Sequence, residues 1–320
     1  MTASTSAIHV LTAAKMSPLL APQLDAAFHL HDRLHETDAA ALKTFAPQIR
    51  GIAASGESKV SAELINALPA LEIISVMGVG YDGIDVAAAK ARGVMVTHTP
   101  NVLNDDVADL AIGLMLSAAR QLPAADRYVR AGLWQNGAMP LARKMSGARL
   151  GIVGLGRIGQ AIAQRALAFN MTVAYTARSA KAGSPFPYFP NAEALAVESD
   201  FLVVITPGGA GTRKMIDARV LAALGAQGIL VNVARGSVVD EAALIDALER
   251  GVIAGAGLDV FENEPQVPER LRALAHVVLV PHIGSATGQT RQAMADLAFN
   301  NLAVHFAGKP VLTPVPECQG

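Results

Sequence analysis

The sequence predicts an α/β protein whose later half is a complete Rossmann unit, and three observations carry that reading. Short apolar runs alternate with longer Ala- and Leu-rich helical patterns, as in parallel strands joined by helical crossovers. A second alternating series begins beyond residue 147 and supplies six strands. The first of these strands runs into a glycine-spaced turn, VGLGRIGQ, followed by the helical pattern QAIAQRALAF.

Near the start of the chain, IHVLTA, IRGIAAS, LEIISVMG and VMVTHT read as buried strands, with SAELINAL and DVAAAKARG as helices. Gly93 suits the stop of the second helix. NDDVADLAIGLMLSAARQL is the longest helical pattern; Asn104 or Asp105 can cap it, and acids in its first turn match the helix dipole. The later strands are RLGIVGLG, MTVAYTA, FLVVITP, GILVNVARG, AGAGLDV and HVVLVPHIG. KAGSPFPYFP reads as a Pro-rich loop, because strands continue past it. GQTRQAMADLAFNNLAVHFAG reads as one long helix, stopped by Gly308 and Pro310. No internal repeat at solenoid periods is present.

At 320 residues the chain is long enough for two domains with buried cores. Hydrophobic residues make up 52% and charged residues 17%, which excludes a disordered chain. A net charge of −1 argues against nucleic acid or an anionic membrane as the partner. The cations of RYVRAGLWQNGAMPLARK are scattered and lack an aromatic stacking array. Cys318 is the only cysteine, so no intramolecular disulfide forms, which fits a reducing compartment. MTASTSAIHVLTAAK lacks the pattern of a signal peptide, and the apolar runs are too short to span a bilayer, so a cytoplasmic protein is expected. In FHLHDRLHE, alternation places His29, His31 and His35 on one face of a strand, opposite Phe28, Leu30 and Leu34. That pattern reads as a solvated polar face, and no metal is expected.

Gly154, Gly156 and Gly159 have the GxGxxG spacing, with Leu155, Arg157 and Ile158 between them. The first glycine permits a tight turn, the second a close approach of backbone to pyrophosphate, and the third close helix–strand packing. The following helix presents N–H groups and a positive dipole end to phosphates. The next strand ends in TVAYTARSAK. In an NAD site an acid there accepts hydrogen bonds from the ribose hydroxyls, and it would repel a 2′-phosphate. Here Ala177 stands in its place, followed by Arg178, which can pair bidentately with phosphate, and by Ser179 and Lys181. The expected cofactor is therefore NADPH in preference to NADH.

Three further polar residues follow apolar strands: Arg235 in VNVARG, Glu264 in AGLDVFENEP and His282 in VVLVPHIG. Ligands of open α/β sheets bind at the carboxyl ends of strands, so these side chains can converge on a nicotinamide. Reduction of a 2-keto acid needs a hydride and a proton. Histidine suits the proton transfer because imidazole ordinarily titrates near neutrality. A neighbouring carboxylate favours the imidazolium and orients the ring, while an arginine grips the substrate carboxylate and polarises the ketone.

Together these segments resemble the D-2-hydroxyacid dehydrogenases. The matching stretches are GLGRIGQAIAQRA, VNVARGSVVDEAALIDAL, GAGLDVFENEP and VPHIGSAT, and the resemblance runs from MGVGYDGIDVAAAKARGV to GKPVLTP. Within the family it is nearest to the glyoxylate/hydroxypyruvate and hydroxyphenylpyruvate reductases, which favour NADPH. It implies a Rossmann domain, residues 100–287, inserted into a flavodoxin-like substrate domain formed by residues 1–99 and 288–320, with the active site in the cleft. It also implies Arg235, Glu264 and His282 as the catalytic set, and Val79 and Gly80 as backbone donors to the substrate carboxylate. Asp259 would meet the nicotinamide carboxamide, Thr206, Pro207 and Thr212 would line the adenosine side, and Val233 and Gly284 complete the cofactor set.

The helix DVADLAIGLMLSAAR resembles the family's dimerisation element, so a homodimer is expected. TPGGAGT, with Gly208 and Gly209, departs from the Pro-Leu-Thr sequence common after the fourth Rossmann strand and puts contacts there in doubt. Trp134, Met139 and Leu141 are equally candidates for a pocket wall and for ordinary packing. A small polar pocket would suit glyoxylate or hydroxypyruvate, and a larger apolar one bulkier aryl or branched 2-keto acids. Two rivals stand beside the reductase: a nucleotide-sensing, corepressor-like binding protein on the same fold, and a formate dehydrogenase relative, which needs no proton donor for a ketone.

Overall fold

The computed structural model describes residues 8–319. Residue 320 and residues 1–7, part of the stretch read above for a signal peptide, lie outside the described residues. The chain divides into two compact units, one running up to Leu103 and resuming at Thr287, the other spanning Asn104–Ala286.

The first unit opens with β1 (His9–Thr12), α1 (Ala21–Ala27), β2 (His29–Asp32), α2 (Leu34–Thr37), α3 (Ala39–Phe45) and β3 (Ile49–Ser55). It continues through α4 (Ala62–Ala67), β4 (Ile73–Met77), α5 (Val86–Ala91) and β5 (Met95–Thr97). All strand pairs are parallel, in the order β2-β1-β3-β4-β5, the flavodoxin-like order. Every residue of β4, IISVM, is buried, as expected for a strand covered on both faces. Asp85 caps α5 by accepting from the Ala88 N–H, and Gly93, at φ 70°, follows its end.

The histidine stretch differs from its expected arrangement. β2 ends at Asp32, so His35 sits in α2 and shares no strand face with His29 and His31. His31 is buried, not solvated. The cause lies in the neighbouring strand: β1 pairs with β2 so that His9 lies opposite His29, and Leu11 opposite His31. His9 Nδ1 then lies 2.8 Å from His31 Nε2. Burial, with His29 beside it, lowers the pKa of His9; burial, with His9 and His29, lowers that of His31.

The second unit contains α6 (Asn104–Arg120), α7 (Leu122–Arg130), β6 (Arg149–Val153), α8 (Arg157–Ala168), β7 (Thr172–Thr176) and β8 (Tyr188–Phe189). Then come α9 (Ala192–Val197), β9 (Phe201–Val204), α10 (Ala218–Leu224), β10 (Ile229–Asn232), α11 (Glu241–Glu249), β11 (Gly255–Leu258), α12 (Glu269–Arg272) and β12 (Val277–Leu279). The parallel sheet runs β12-β11-β10-β9-β6-β7-β8. The order reverses between β6 and β9, the switch point at which such sheets take ligands. β8 corrects the reading of KAGSPFPYFP as loop alone, since Tyr188 and Phe189 pair with Tyr175 and Thr176 at the sheet edge. α6 packs on α8, where Arg165 reaches Asp105 at 3.0 Å and Asp109 at 2.5 Å.

The chain re-enters the first unit with α13 (Gly288–Phe306), capped by Thr287, whose hydroxyl accepts from the Thr290 N–H. α13 packs on β4, and the Ser75 hydroxyl donates to the Ala298 carbonyl at 2.8 Å. The buried Asn301 carboxamide accepts from Leu312 and Thr313 N–H and donates to the Thr313 hydroxyl, fastening the C-terminal segment. That segment bridges β5 through Thr97 and Pro314. Among the described residues no helix is long and apolar enough to cross a membrane.

Candidate active site

The expected cofactor and catalytic residues of the second unit all follow the carboxyl ends of strands. The glycine turn joins β6 to α8. Gly154 has φ 110°, a left-handed conformation natural to glycine, and a Cβ on it would lie 2.9 Å from the Thr206 nitrogen at the end of the neighbouring β9. At Gly159 a Cβ would meet the Gly154 carbonyl oxygen at 2.2 Å, so helix and strand lie close. Above Gly156 nothing lies within 4 Å of the Cβ position. Leu155 is buried, while Arg157 and Ile158 open α8. An open cradle before a 12-residue helix therefore fits the pyrophosphate of a dinucleotide.

Ala177, Arg178 and Ser179 follow β7, with Arg178 and Ser179 exposed. The stretch is tied down from behind: the Tyr175 hydroxyl accepts from the Lys181 N–H at 2.6 Å, and the Tyr188 hydroxyl donates to the Ala177 carbonyl at 3.4 Å. β8 thus supports the turn that carries the cation. After β9, the Thr212 hydroxyl donates to the Pro207 carbonyl at 2.7 Å and closes the loop through Gly208 and Gly209.

Arg235 and Val233 follow β10. The buried Asn232 shapes this turn, its carboxamide oxygen accepting from Ala234 N–H and its nitrogen donating to the Arg235 carbonyl, both at 3.0 Å. The Arg235 guanidinium also donates to the Ala234 carbonyl at 2.8 Å. Gly236 presses against the next loop: a Cβ there would lie 1.9 Å from the Phe261 carbonyl carbon. Only a residue without a side chain allows that approach, which sets the Arg235 turn against the loop bearing Glu264.

In that loop one Glu264 oxygen accepts from the Phe261 N–H at 2.9 Å, and the other lies 2.7 Å from His282 Nδ1. A carboxylate opposite Nδ1 makes that nitrogen the donor, which directs Nε2 away from the pair. Glu241, at the start of α11, accepts from the Glu262 N–H at 3.2 Å, and Arg213 pairs with the Glu262 carboxylate at 3.0 Å. Burial, opposed by that backbone donor and aided by Glu262, raises the Glu241 pKa.

His282 follows β12 at φ 51°, an uncommon conformation for a residue with a side chain. The buried Asp259 holds this turn: its carboxylate oxygens accept from Ile283 N–H at 2.6 Å and Gly284 N–H at 2.9 Å. Burial raises the Asp259 pKa against the pull of these donors and of His282. The carboxylate expected to face the nicotinamide therefore fixes the conformation of the acid/base candidate.

Asn232 and Glu241 were missed as supports in the sequence, although Asn232 leaves a signal, a lone amide inside the apolar run GILVNVA. In the first unit Val79 and Gly80 follow β4, and His98 Nδ1 donates to the Val79 carbonyl at 3.0 Å. Tyr81 hydrogen-bonds Glu317 at 3.0 Å, joining this loop to the C-terminal segment. Trp134 and Leu141 are exposed, and Met139 is half-buried.

A family model described as D-isomer specific 2-hydroxyacid dehydrogenase, NAD binding domain, matches residues 112–284. The chain is 48% identical to a hydroxyphenylpyruvate reductase of Plectranthus scutellarioides, over 97% of this chain and 99% of that protein. It is also 48% identical to a glyoxylate/hydroxypyruvate reductase A of Arabidopsis thaliana, over 96% and 99%. Among solved structures, an NADPH-dependent glyoxylate/hydroxypyruvate reductase of Sinorhizobium meliloti, in complex with NADP and malonate, superposes with a TM-score of 0.92. The two are 47% identical, over 98% of each chain.

Proposed function

This chain belongs to the D-isomer specific 2-hydroxyacid dehydrogenase family, and we propose that it reduces a small 2-keto acid, glyoxylate or hydroxypyruvate, to the D-2-hydroxy acid with NADPH. The observation that carries the proposal is the 2.7 Å pair of His282 Nδ1 and Glu264, in the loops that follow adjacent strands of a dinucleotide-binding sheet. When bound, reduced nicotinamide supplies the hydride. His282 delivers a proton from Nε2 to the carbonyl oxygen, and Glu264 holds the ring and offsets its charge. The Arg235 guanidinium grips the substrate carboxylate and polarises the ketone. Asp259, Asn232 and Glu241 position these groups through the backbone.

The preference for NADPH rests on Arg178 and Ser179, exposed at the end of β7, and on Ala177 in place of an acid. Exposed apolar side chains cluster in and after α7, including Val129, Leu133, Trp134 at 69% and Leu141 at 99%, and they favour a homodimer that covers them. The single cysteine favours a reducing, cytoplasmic setting. The two 48%-identical relatives carry names for different substrates, so the overall similarity does not choose between a small and a bulkier aryl acid.

The test is a panel of glyoxylate, hydroxypyruvate, phenylpyruvate and hydroxyphenylpyruvate, each assayed with NADPH and NADH. The highest kcat/KM is expected with NADPH and one of the two small acids. A preference for the aryl acids would replace the substrate assignment, and no turnover on any acid with intact NADPH binding would favour the nucleotide-sensing rival.

A further inference from the structure

We infer that His9, His29 and His31 form a binding site for a divalent late transition-metal ion such as copper(II), nickel(II) or zinc(II). His9 faces His29 across the parallel β1–β2 pair, and His31 lies two residues beyond His29, on the same face of the strand. One ring nitrogen from each of the three lies within 4.8 Å of the others. The ring centroids of His29 stand 4.6 Å from His9 and 5.0 Å from His31.

His9 Nδ1 and His31 Nε2 lie 2.8 Å apart and share a hydrogen bond, so an ion entering here displaces the bridging proton. Imidazole suits copper(II), nickel(II) and zinc(II) alike. Magnesium and calcium prefer oxygen and are disfavoured by an all-nitrogen set.

The surroundings fit an ion that enters from solvent. Phe45 packs against His31 at 4.7 Å and against His9 at 6.4 Å between ring centroids, restricting the two inner rings. His29 is exposed and forms the open side. Asp32 is engaged elsewhere, accepting from the Thr12 hydroxyl at 2.7 Å and pairing with Arg33, so the donor set is imidazole alone. An ion bound here would fasten the edge strand β2 to β1 and stabilise the fold by mass action.

The test uses full-length protein without an affinity tag, stripped with chelator and titrated calorimetrically with copper(II), nickel(II) or zinc(II). One ion per chain is expected, with a nickel-dependent rise in Tm and a copper resonance spectrum showing imidazole nitrogen couplings. His29→Ala, at an exposed position, and His9→Asn should each weaken binding at least about tenfold. His35→Ala and Cys318→Ser should bind as the unaltered chain does. Far-UV circular dichroism of each variant confirms that the fold persists. Binding no tighter than millimolar, or affinity unchanged in both His29→Ala and His9→Asn, would overturn the assignment.

Discussion

Replacing Glu264 with Gln keeps the shape of the side chain and removes its charge. In the folded protein its two oxygens accept from Phe261 N–H at 2.9 Å and from His282 Nδ1 at 2.7 Å. A carboxamide has one acceptor oxygen, so its NH2 group must face one of these donors, and a charge-assisted bond is lost. Such bonds contribute about 1.5–3 kcal/mol. The His282 and Glu264 side chains are 31% and 24% exposed, so solvent screening places the loss near the lower end, roughly 1.5–2 kcal/mol. If the loss falls on the transition state, kcat drops roughly ten- to thirtyfold. KM for the keto acid should change little, because Glu264 acts through the imidazole. Steady-state oxidation of NADPH with saturating glyoxylate or hydroxypyruvate measures both constants, and NADPH fluorescence confirms that the cofactor still binds. A folded Glu264→Gln variant with kcat within twofold of the parent across about pH 6 to 8, where an imidazole ordinarily titrates, would refute the reasoning.

Three further outcomes follow from the same geometry. Exchanging Ala177 for Asp and Arg178 for Ala should weaken NADPH more than NADH, and the NADPH/NADH ratio of kcat/KM should fall at least tenfold, about the effect of one bidentate phosphate contact; an unchanged ratio removes the phosphate clamp. Gly236→Ala places a methyl group 1.9 Å from the Phe261 carbonyl carbon, so the Arg235 and Glu264 loops must separate. It should cost roughly 2–3 kcal/mol in stability, read as a lower Tm, and depress kcat with it. Burial, followed by the Glu317 hydrogen bond, pushes the Tyr81 phenol up to about 12. The folded chain keeps that proton where an unfolded tyrosine, at about 10, has released it. Its stabilisation is therefore complete below that value and is lost as pH rises toward about 12. Ultraviolet titration should show a late tyrosine phase, and Tyr81→Phe should diminish it; a titration unchanged in that variant would contradict the assignment.

The fold class was readable because both sheets are parallel and buried, so their strands appear as largely apolar runs such as FLVV between helical patterns. The two-residue β8 was not, since Tyr188 and Phe189 sit among prolines and owe their strand character to pairing with β7. At the site, strand ends flagged Arg235, Glu264 and His282, and the structure brings Glu264 and His282 into direct contact. The supporting groups were less visible. Asp259 was noticed for its position after a strand, yet its two bonds to the His282 turn depend on a segment more than 20 residues away in sequence. The burial of His31 is hidden from the sequence for the same reason. Period-two spacing located His29 and His31, but His9 joins them only through the register of β1 on β2, a tertiary property. His35 leaves that face because the chain turns into a helix right after Arg33, at φ 48°.

The central claim is that His282 supplies the proton, and the most direct measurement is single-turnover reduction of glyoxylate by NADPH in His282→Asn. Asparagine tolerates the left-handed backbone at this position better than alanine does, so the loop is preserved. The expected result is a fall in the chemical rate of roughly 10²–10⁴ with NADPH affinity nearly unchanged. A chemical rate close to that of the parent enzyme, with the cofactor bound equally well, would contradict the account.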